Sequence, residues 1–473
     1  MKQPQPWHIS LFIFCIIATL ACIAAVYPEE GVTIGDVTLR FPTLKSFLQS
    51  EEETEEVVSE PELSPEELLA LREEEARKAE EMGFVDYFKT NPSRIHWPKE
   101  DSCSIGDSTY FDNLYAALRS AKDTCVHIVH YGDSQIEEDR ITQMLRRRLQ
   151  EHFGGGGPGL VPLYQSIATV TLGQHTEPEP TRYLVYGNKS FRRNGSNKYG
   201  PMGQVAIIDT TIACSIIPRS KNTGIYSAHQ FNRLTLLSNT ESMLRFTANG
   251  QTTKITPSNA ALQLTTVTLP DSSTSVNVRL SGQGEVYGLL LSTDTGVGVD
   301  NIPMRGCSGM IFTSIQAAQL RAYYSATNTR LIILQYGGNN MPHLHSEEEV
   351  DEYVAALIGQ IQFLQRQAPN AAILFIGPSD MTTRRKGVLQ TYPLLPYLER
   401  ALCREVTKSG AAYWSIYNTM GGENSMQQWV KAGLAGSDYV HFTRKGAENI
   451  GNILCDALFN GYKFYLWRND IEE

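Results

Sequence analysis

The chain has 473 residues, which is long enough for two or three folded units with separate hydrophobic cores. Its content of 41% hydrophobic and 19% charged residues is typical of a globular protein, and a formal net charge of −10 argues against a nucleic-acid partner. No pair of cysteines has the CxxC spacing, so we expect no zinc, redox or other cofactor site. A disulfide between Cys103 and Cys125 is conceivable, but scattered cysteines are usually small buried hydrophobic residues.

The N-terminus contains an uncharged apolar run from Ile9 to Tyr27. A helix of about 20 such residues can cross a bilayer, and the basic residue before the run predicts export of the rest of the chain. Residues 1–27 are therefore predicted to be a transmembrane anchor, which would make the membrane a partner of the chain. Two alternatives stay open: a signal peptide cleaved near Ala24 or Ala25, and a lipid on Cys22.

The remaining residues divide by composition. Residues 28–100 are rich in glutamate and predict an acidic stalk or linker. Apolar strands then alternate with helical segments in residues 101–165 and again in 296–473, which predicts one α/β domain with helices on both faces of a parallel sheet. Between these parts, residues 166–295 form short Thr-, Ser- and Val-rich runs separated by turn residues. They predict an inserted all-β, sandwich-like module.

The tripeptide Gly-Asp-Ser occurs twice. The copy ending at Ser108 opens a helix and is explained by helix capping. The copy ending at Ser134 comes after the apolar run VHIVHY, so Ser134 lies where a strand gives way to a helix. Ser134 could be a helix cap there as well, but this position also suits an exposed nucleophile with a backbone amide that can serve as an oxyanion donor.

Two later motifs could supply the partners of such a nucleophile. Asp438 precedes His441 by three residues, a spacing that lets the carboxylate contact the imidazole and fix its tautomer. Asn339 comes after two glycines that directly succeed the apolar run RLIILQY, where its amide could face a developing oxyanion. The alternative is that Asp438 and His441 are ordinary surface residues and that Asn339 is a turn residue. His343 and His345 have no third ligand at a recognisable spacing, so no metal site is predicted.

Together, in this order, these motifs resemble those of the SGNH (GDSL-like) hydrolases, which have a flavodoxin-like parallel sheet. The resemblance implies that Ser134 is the nucleophile, His441 the general base and Asp438 its orienting partner. It assigns the oxyanion hole to the Ser134 amide, Asn339 and the amide of Gly306, with Gly309 as the alternative glycine. Asn340 replaces the Asp that usually comes after the family's oxyanion Asn.

The long separation between Ser134 and Gly306 resembles that of bacterial enzymes that remove O-acetyl groups from peptidoglycan and carry an inserted β-module. The resemblance implies a serine esterase acting on O-acylated polysaccharide in the bacterial cell envelope, without a cofactor or metal. Acetyl transfer to a glycan, or glycan binding by an inactive site, are the alternatives. The sequence determines neither the sugar nor the oligomeric state.

Overall fold

Along the chain, helices precede and follow a long β-rich segment. The structure, a computed structural model, describes residues 6–26, 32–34, 37–39, 65–100, 104–193, 195–219, 230–271 and 273–472. The α-helices in these ranges are α1 (Pro6–Val26), α2 (Pro65–Thr90), α3 (Asp112–Arg119), α4 (Thr142–Phe153), α5 (Ala317–Ala326), α6 (Glu347–Gln367), α7 (Leu395–Lys408), α8 (Ile416–Met420), α9 (Ser425–Lys431) and α10 (Arg444–Arg468).

The strands of the same ranges are mostly short. They are β1 (Val32–Ile34), β2 (Val37–Leu39), β3 (Ile95–His96), β4 (Cys125–Gly132), β5 (Gly159–Val161), β6 (Leu172–Glu177), β7 (Thr181–Leu184), β8 (Gln204–Ile208), β9 (Ile212–Pro218), β10 (Arg233–Asn239), β11 (Leu244–Ala248), β12 (Gln251–Ile255), β13 (Gln263–Thr268), β14 (Val276–Gly282), β15 (Gly284–Ser292), β16 (Gly296–Pro303), β17 (Thr329–Gln335), β18 (Ala372–Ile376), β19 (Thr382–Arg385), β20 (Val388–Thr391) and β21 (Ala412–Trp414).

The chain divides into two units, Met1–Arg77 and Lys78–Glu473. Within the first, α1 precedes an antiparallel pair, β1 and β2, in which Val32 lies opposite Leu39. Residues 40–64, which contain much of the acidic stalk predicted from the sequence, lie outside the described residues.

The second unit contains a central sheet with the strand order β16-β4-β17-β18-β21-β3. The pairs from β16 to β21 are parallel, and β3 adds an antiparallel edge strand. Successive side chains of a strand point to opposite faces of this sheet, and helices cover both faces. Tyr131 and Leu334 pack on one face with helices α6 and α7, whereas Ile128 and Ile333 pack on the other with α3, α4 and α10.

Two antiparallel sheets lie in the chain between β4 and β16. One has the order β13-β10-β15-β8-β7, with β5 also paired to β15, and the other has the order β12-β11-β14-β9-β6. In β11 and β14, buried apolar residues alternate with more exposed polar residues, the pattern of a sheet with one solvated face, whereas β10 and β15 of the first sheet are buried along most of their length. The inward residues of both sheets, among them Phe246 and Leu236, form a common core. Strand β5 belongs to this layer although it precedes residue 166.

The fold class predicted from the sequence requires correction in two respects. Among the described residues, no helix combines the length and the apolar character that crossing a membrane requires, so the predicted N-terminal transmembrane helix is not supported. In addition, the fold is mixed α/β, because antiparallel sheets contain many of its strands. The conceivable disulfide is not formed at Cys125, which is a free thiol, and Cys103 lies outside the described residues.

Candidate active site

The nucleophile candidate lies at the carboxyl edge of the central sheet. Strand β4 ends at Gly132, which is paired with Gln335 at the end of β17. A 3₁₀ helix, Ser134–Asp139, begins immediately after Asp133, and the Asp133 carboxylate caps it by accepting the backbone N–H of Gln135 at 2.9 Å. Asp133 therefore performs the capping role that was the alternative explanation for Ser134. The Ser134 side chain remains available at the start of the helix.

Ser134, His441 and Asp438 form one hydrogen-bonded chain. The Ser134 hydroxyl lies 2.9 Å from Nε2 of His441, and Nδ1 of His441 lies 2.7 Å from Oδ2 of Asp438. With a proton on Nδ1 donated to the carboxylate, Nε2 can accept the hydroxyl proton. Burial acts to raise the pKa of Asp438, but hydrogen bonds from His441 and from backbone amides outweigh it, so this pKa lies below its ordinary value. The carboxylate stays ionised beside the imidazole.

The loop that carries His441 is fixed from within. Oδ1 of Asp438 accepts the backbone N–H groups of Val440 and His441 at 3.0 and 3.1 Å. The backbone N–H of Gly436 donates to the carbonyl of His441, and Tyr439 has a positive φ of 59°. Asp438 thus holds both the loop and the imidazole ring.

The nucleophile segment also holds this loop. The Gln135 amide donates to the carbonyl of Val440 at 2.7 Å. The Arg140 guanidinium donates to the carbonyl of Ser134 at 2.8 Å and to that of Phe442 at 3.0 Å. Sequence reasoning missed Gln135 and Arg140, because the carbonyls of the His441 loop that they contact lie about 300 residues away in the chain. Their proximity to the Gly-Asp-Ser motif was the available signal.

Asn339 lies in the same cleft, in a 3₁₀ helix that comes after β17. Its amide nitrogen donates to Oδ2 of Asp133 at 2.8 Å and to the carbonyl of Cys307 at 3.2 Å. Burial raises the pKa of the Asp133 carboxyl to about 6, against the effect of its hydrogen bonds from Gln135 and Asn339 and of the charge of His441. Asp133 therefore joins the nucleophile segment to the predicted oxyanion residue.

Neither glycine assigned to the oxyanion hole lines this cleft. Gly306 is exposed, with a φ of 72°, and no side chain or backbone atom lies near the position of its missing Cβ. Gly309 is buried, and its N–H donates to the thiol of Cys307 at 3.3 Å. The structure thus brings Ser134, Asp438, His441 and Asn339 together, whereas Gly306 stands apart from the cleft.

The cleft has a volume of about 350 Å³. Besides Ser134, Asn339 and His441, it is lined by Asp133, Gln135, Gln335, Tyr336, Gly338, Pro342, His343, Gly377, Pro378, Ser379, Met381, Tyr392 and Val440. The lining combines polar with apolar side chains, a combination found in sites that orient a ligand by a few directed hydrogen bonds.

Solved structures provide the comparison, since no family model and no curated protein matches the sequence. A structure of a peptidoglycan O-acetylesterase is 20% identical, with a TM-score of 0.62, and the match covers 76% of this chain and 98% of that one. A family two carbohydrate esterase from Cellvibrio japonicus is 12% identical with a TM-score of 0.25, covering 62% and 99%; a similarity this low carries no argument. Over 76% of its length, the chain therefore has a fold similar to that of a peptidoglycan O-acetylesterase, the type of enzyme that the motifs resemble.

Proposed function

We propose that the chain is a serine esterase that removes O-acetyl groups from cell-wall glycan outside the cytoplasm. The observation that carries the proposal is the hydrogen-bonded chain from Asp438 through His441 to Ser134 at the rim of the cleft. An isolated serine hydroxyl is a weak nucleophile, and a neighbouring imidazole that is oriented by a carboxylate is the arrangement that activates it.

In the proposed reaction, the Ser134 oxygen attacks the acetyl carbonyl carbon while Nε2 of His441 takes the hydroxyl proton. The tetrahedral intermediate collapses, the bond between the acyl carbon and the sugar oxygen breaks, and His441 returns the proton to that oxygen. Water then attacks the acetyl-serine, again losing a proton to His441. Acetate leaves and the Ser134 hydroxyl is restored. Asp438 stabilises the imidazolium in both halves of the cycle.

Negative charge on the carbonyl oxygen needs hydrogen-bond donors. The Ser134 amide begins a helix, where the first N–H groups lack partners within the helix. The Asn339 amide is the proposed side-chain donor: one N–H stays on Asp133, and the other turns from the Cys307 carbonyl to the oxyanion. The Gly306 amide, the third donor expected from the family resemblance, does not line the cleft, so the proposal rests on the first two donors. Loss of one such donor typically lowers the rate by roughly 100- to 1000-fold.

The choice of substrate rests on two features. The chain shares its fold, over 98% of that protein's length, with a peptidoglycan O-acetylesterase. The cleft beside Ser134, about 350 Å³, is small and contains polar groups that suit a short acyl group. A cell-wall substrate also requires action outside the cytoplasm. We infer further that residues 166–295 form a module inserted into an SGNH domain made of residues 101–165 and 296–473.

The test is acetate release from O-acetylated peptidoglycan by the full chain. We expect release by the wild type, none above background by Ser134→Ala, and wild-type release by Ser108→Ala, which changes the other Gly-Asp-Ser serine. Hydrolysis of an aryl acetate, lost in Ser134→Ala, without release from peptidoglycan would keep the esterase and reject the substrate. Equal activity of Ser134→Ala and wild type would reject the mechanism.

A further inference from the structure

The solvated face of the second antiparallel sheet (β12-β11-β14-β9-β6) carries three neighbouring cations. Lys254 in β12 and Arg245 in β11 lie directly opposite each other, and Arg279 in β14 lies diagonally across from Arg245. All three side chains are exposed, whereas their sequence neighbours, such as Leu244 and Leu280, are buried in the core. The period-two alternation of these strands therefore places the cations together on one surface, named here the cationic face.

No ion pair neutralises these charges among the residues that the structure describes. The Cβ atoms of directly opposite cross-strand residues lie about 5 Å apart, and diagonal neighbours lie about 7–8 Å apart. Like charges directly opposite each other destabilise a sheet. Glu177 lies in the same cross-strand row as Arg279, but Ala213 of β9 separates the two residues. The Glu177 carboxylate lies 3.6 Å from the His175 ring. The charge is concentrated although the whole chain has a net charge of −10.

The residues between the cations are short and polar. Thr247 and Thr252 hydrogen-bond to each other at 2.8 Å, and Ser281 and Asn277 occupy outward positions of β14. Such side chains leave the face open and offer hydroxyl and amide groups to a ligand rich in hydroxyls. A long polymer could lie across several strands and contact all three cations at once.

The composition of the face distinguishes between anionic polymers. Its outward positions on the described strands carry no Phe, Tyr or Trp on which nucleic-acid bases could stack. Binding of an amphipathic surface to a membrane needs a broad apolar area beside the cations. On the described strands of this sheet, one large apolar side chain is exposed, that of Ile217 in β9. Charge together with short hydroxyl groups fits a carboxylated polysaccharide.

We propose that the cationic face binds an anionic polysaccharide, so that the module holds the chain on a carboxylate-bearing glycan while the cleft at Ser134 processes it. The choice of a glycan rests on the proposed function. The face lies on strands that contribute no residue to the cleft, so glycan binding and ester hydrolysis can be measured separately.

The experiment measures binding of the full chain to polygalacturonate, with carboxyl-reduced polygalacturonate as the neutral control. We expect affinity that falls as salt rises, since exposed charges are screened over about 10 Å at 0.1 M. The variant Arg245→Gln/Lys254→Gln/Arg279→Gln should bind at least about tenfold more weakly. The matched control, Arg119→Gln/Lys122→Gln/Lys463→Gln, removes the same charge from helices α3 and α10 and the turn after α3, and should bind as the wild type does.

Equal binding by both triple variants would overturn the proposal, as would equal binding to charged and carboxyl-reduced polymer. Binding to phosphatidylglycerol vesicles or to single-stranded DNA without binding to polygalacturonate would overturn it as well. Thermal unfolding identifies a variant that has failed to fold. Aryl acetate hydrolysis should be the same in all three proteins, so loss of the esterase function in the wild type would be recognised independently of glycan binding.

Discussion

At the scale of single residues, the Asp438 carboxylate makes three hydrogen bonds with two oxygens. One oxygen accepts the backbone N–H groups of Val440 and His441, and the other accepts the His441 ring. This division means that a neutral amide at position 438 would keep the loop, through its carbonyl oxygen, but would present an N–H to the ring. The imidazole would then be held in the wrong tautomer, with its proton on Nε2 facing Ser134.

We therefore predict that Asp438→Asn lowers kcat for an aryl acetate by roughly 100- to 10 000-fold with little change in KM. Stopped assays on the purified variant measure this. Asp456→Asn is the control, because Asp456 is also exposed and paired with a cation, Arg148. Unchanged kcat in Asp438→Asn would remove Asp438 from the mechanism.

Glu399 illustrates a titration that belongs to folding. It is buried in α7 and accepts the Tyr413 hydroxyl at 2.6 Å, and burial raises its pKa from its ordinary value of 4.5 to about 7. Between these values the folded protein binds a proton that the unfolded chain has released. The free energy of unfolding should therefore fall as pH rises through this window and stay level above it.

In Glu399→Gln this contribution is absent because the side chain is always neutral. Between pH 4 and pH 8, the free energy of unfolding of the wild type should therefore fall by about 3 kcal/mol more than that of Glu399→Gln. Urea unfolding at several pH values measures it. A wild type and a variant whose stabilities change in parallel with pH would contradict the prediction.

At the scale of elements, Gln135 and Arg140 join the 3₁₀ helix after β4 to the loop before α10. Two segments distant in the sequence must keep Ser134 and His441 within hydrogen-bond distance, and misplacement by about 1 Å can cost roughly 100-fold in rate. Both long side chains reach backbone carbonyls and therefore fix positions, without contacting the predicted reacting atoms.

Gln135→Ala should accordingly lower kcat by roughly 10- to 100-fold with a smaller change in KM, because the His441 loop loses a hydrogen bond to its Val440 carbonyl. Gln135→Asn, whose amide is too short to reach, should resemble Ala, and an exposed glutamine variant, Gln428→Ala, should behave as the wild type. A loss confined to thermal stability, with kcat intact, would show that Gln135 has a structural role only.

The candidate residues that the structure brings together could be chosen from the sequence because their partners are near in the chain or because they lie at a strand end. Asp438 and His441 are three residues apart, and Ser134 and Asn339 each come after an apolar strand. Nothing in the sequence indicates that Arg146 is buried while its neighbours Arg147 and Arg148 stay partly exposed. Arg146 is 1% exposed, because residues from other parts of the chain cover it. Periodicity within one helix cannot predict such long-range contacts.

At the scale of the whole second unit, Arg146 links three layers. Its guanidinium pairs with Asp139 at 2.6 Å and donates to the carbonyl of Val299 in β16, while the Thr171 hydroxyl, just before β6, donates to the same Asp139. The nucleophile segment, the central sheet and the antiparallel layer therefore meet at one buried ion pair. A buried charge left without its partner is strongly destabilising.

Arg146→Met should thus lower the free energy of unfolding by about 3–5 kcal/mol, because the Asp139 carboxylate loses its buried partner. Arg146→Met/Asp139→Leu, which removes both charges, should recover part of the loss. Chemical denaturation of both variants tests this, with Arg147→Met as the control, because the Arg147 side chain is 41% exposed. If the double variant were no more stable than Arg146→Met, the unpaired charge would not be the cause.

The interruption of the central sheet has a consequence for how the chain folds. His127 in β4 contacts Asp300 in β16, 173 residues later, and β17, the other neighbour of β4, comes later still. At synthesis rates of 5–20 residues per second, β4 waits roughly 10–30 s without either neighbour. The antiparallel strands, which pair with closer segments, can form earlier because their loops cost less entropy to close. The central strand β4 is therefore exposed to aggregation for the whole time in which the intervening antiparallel strands are made.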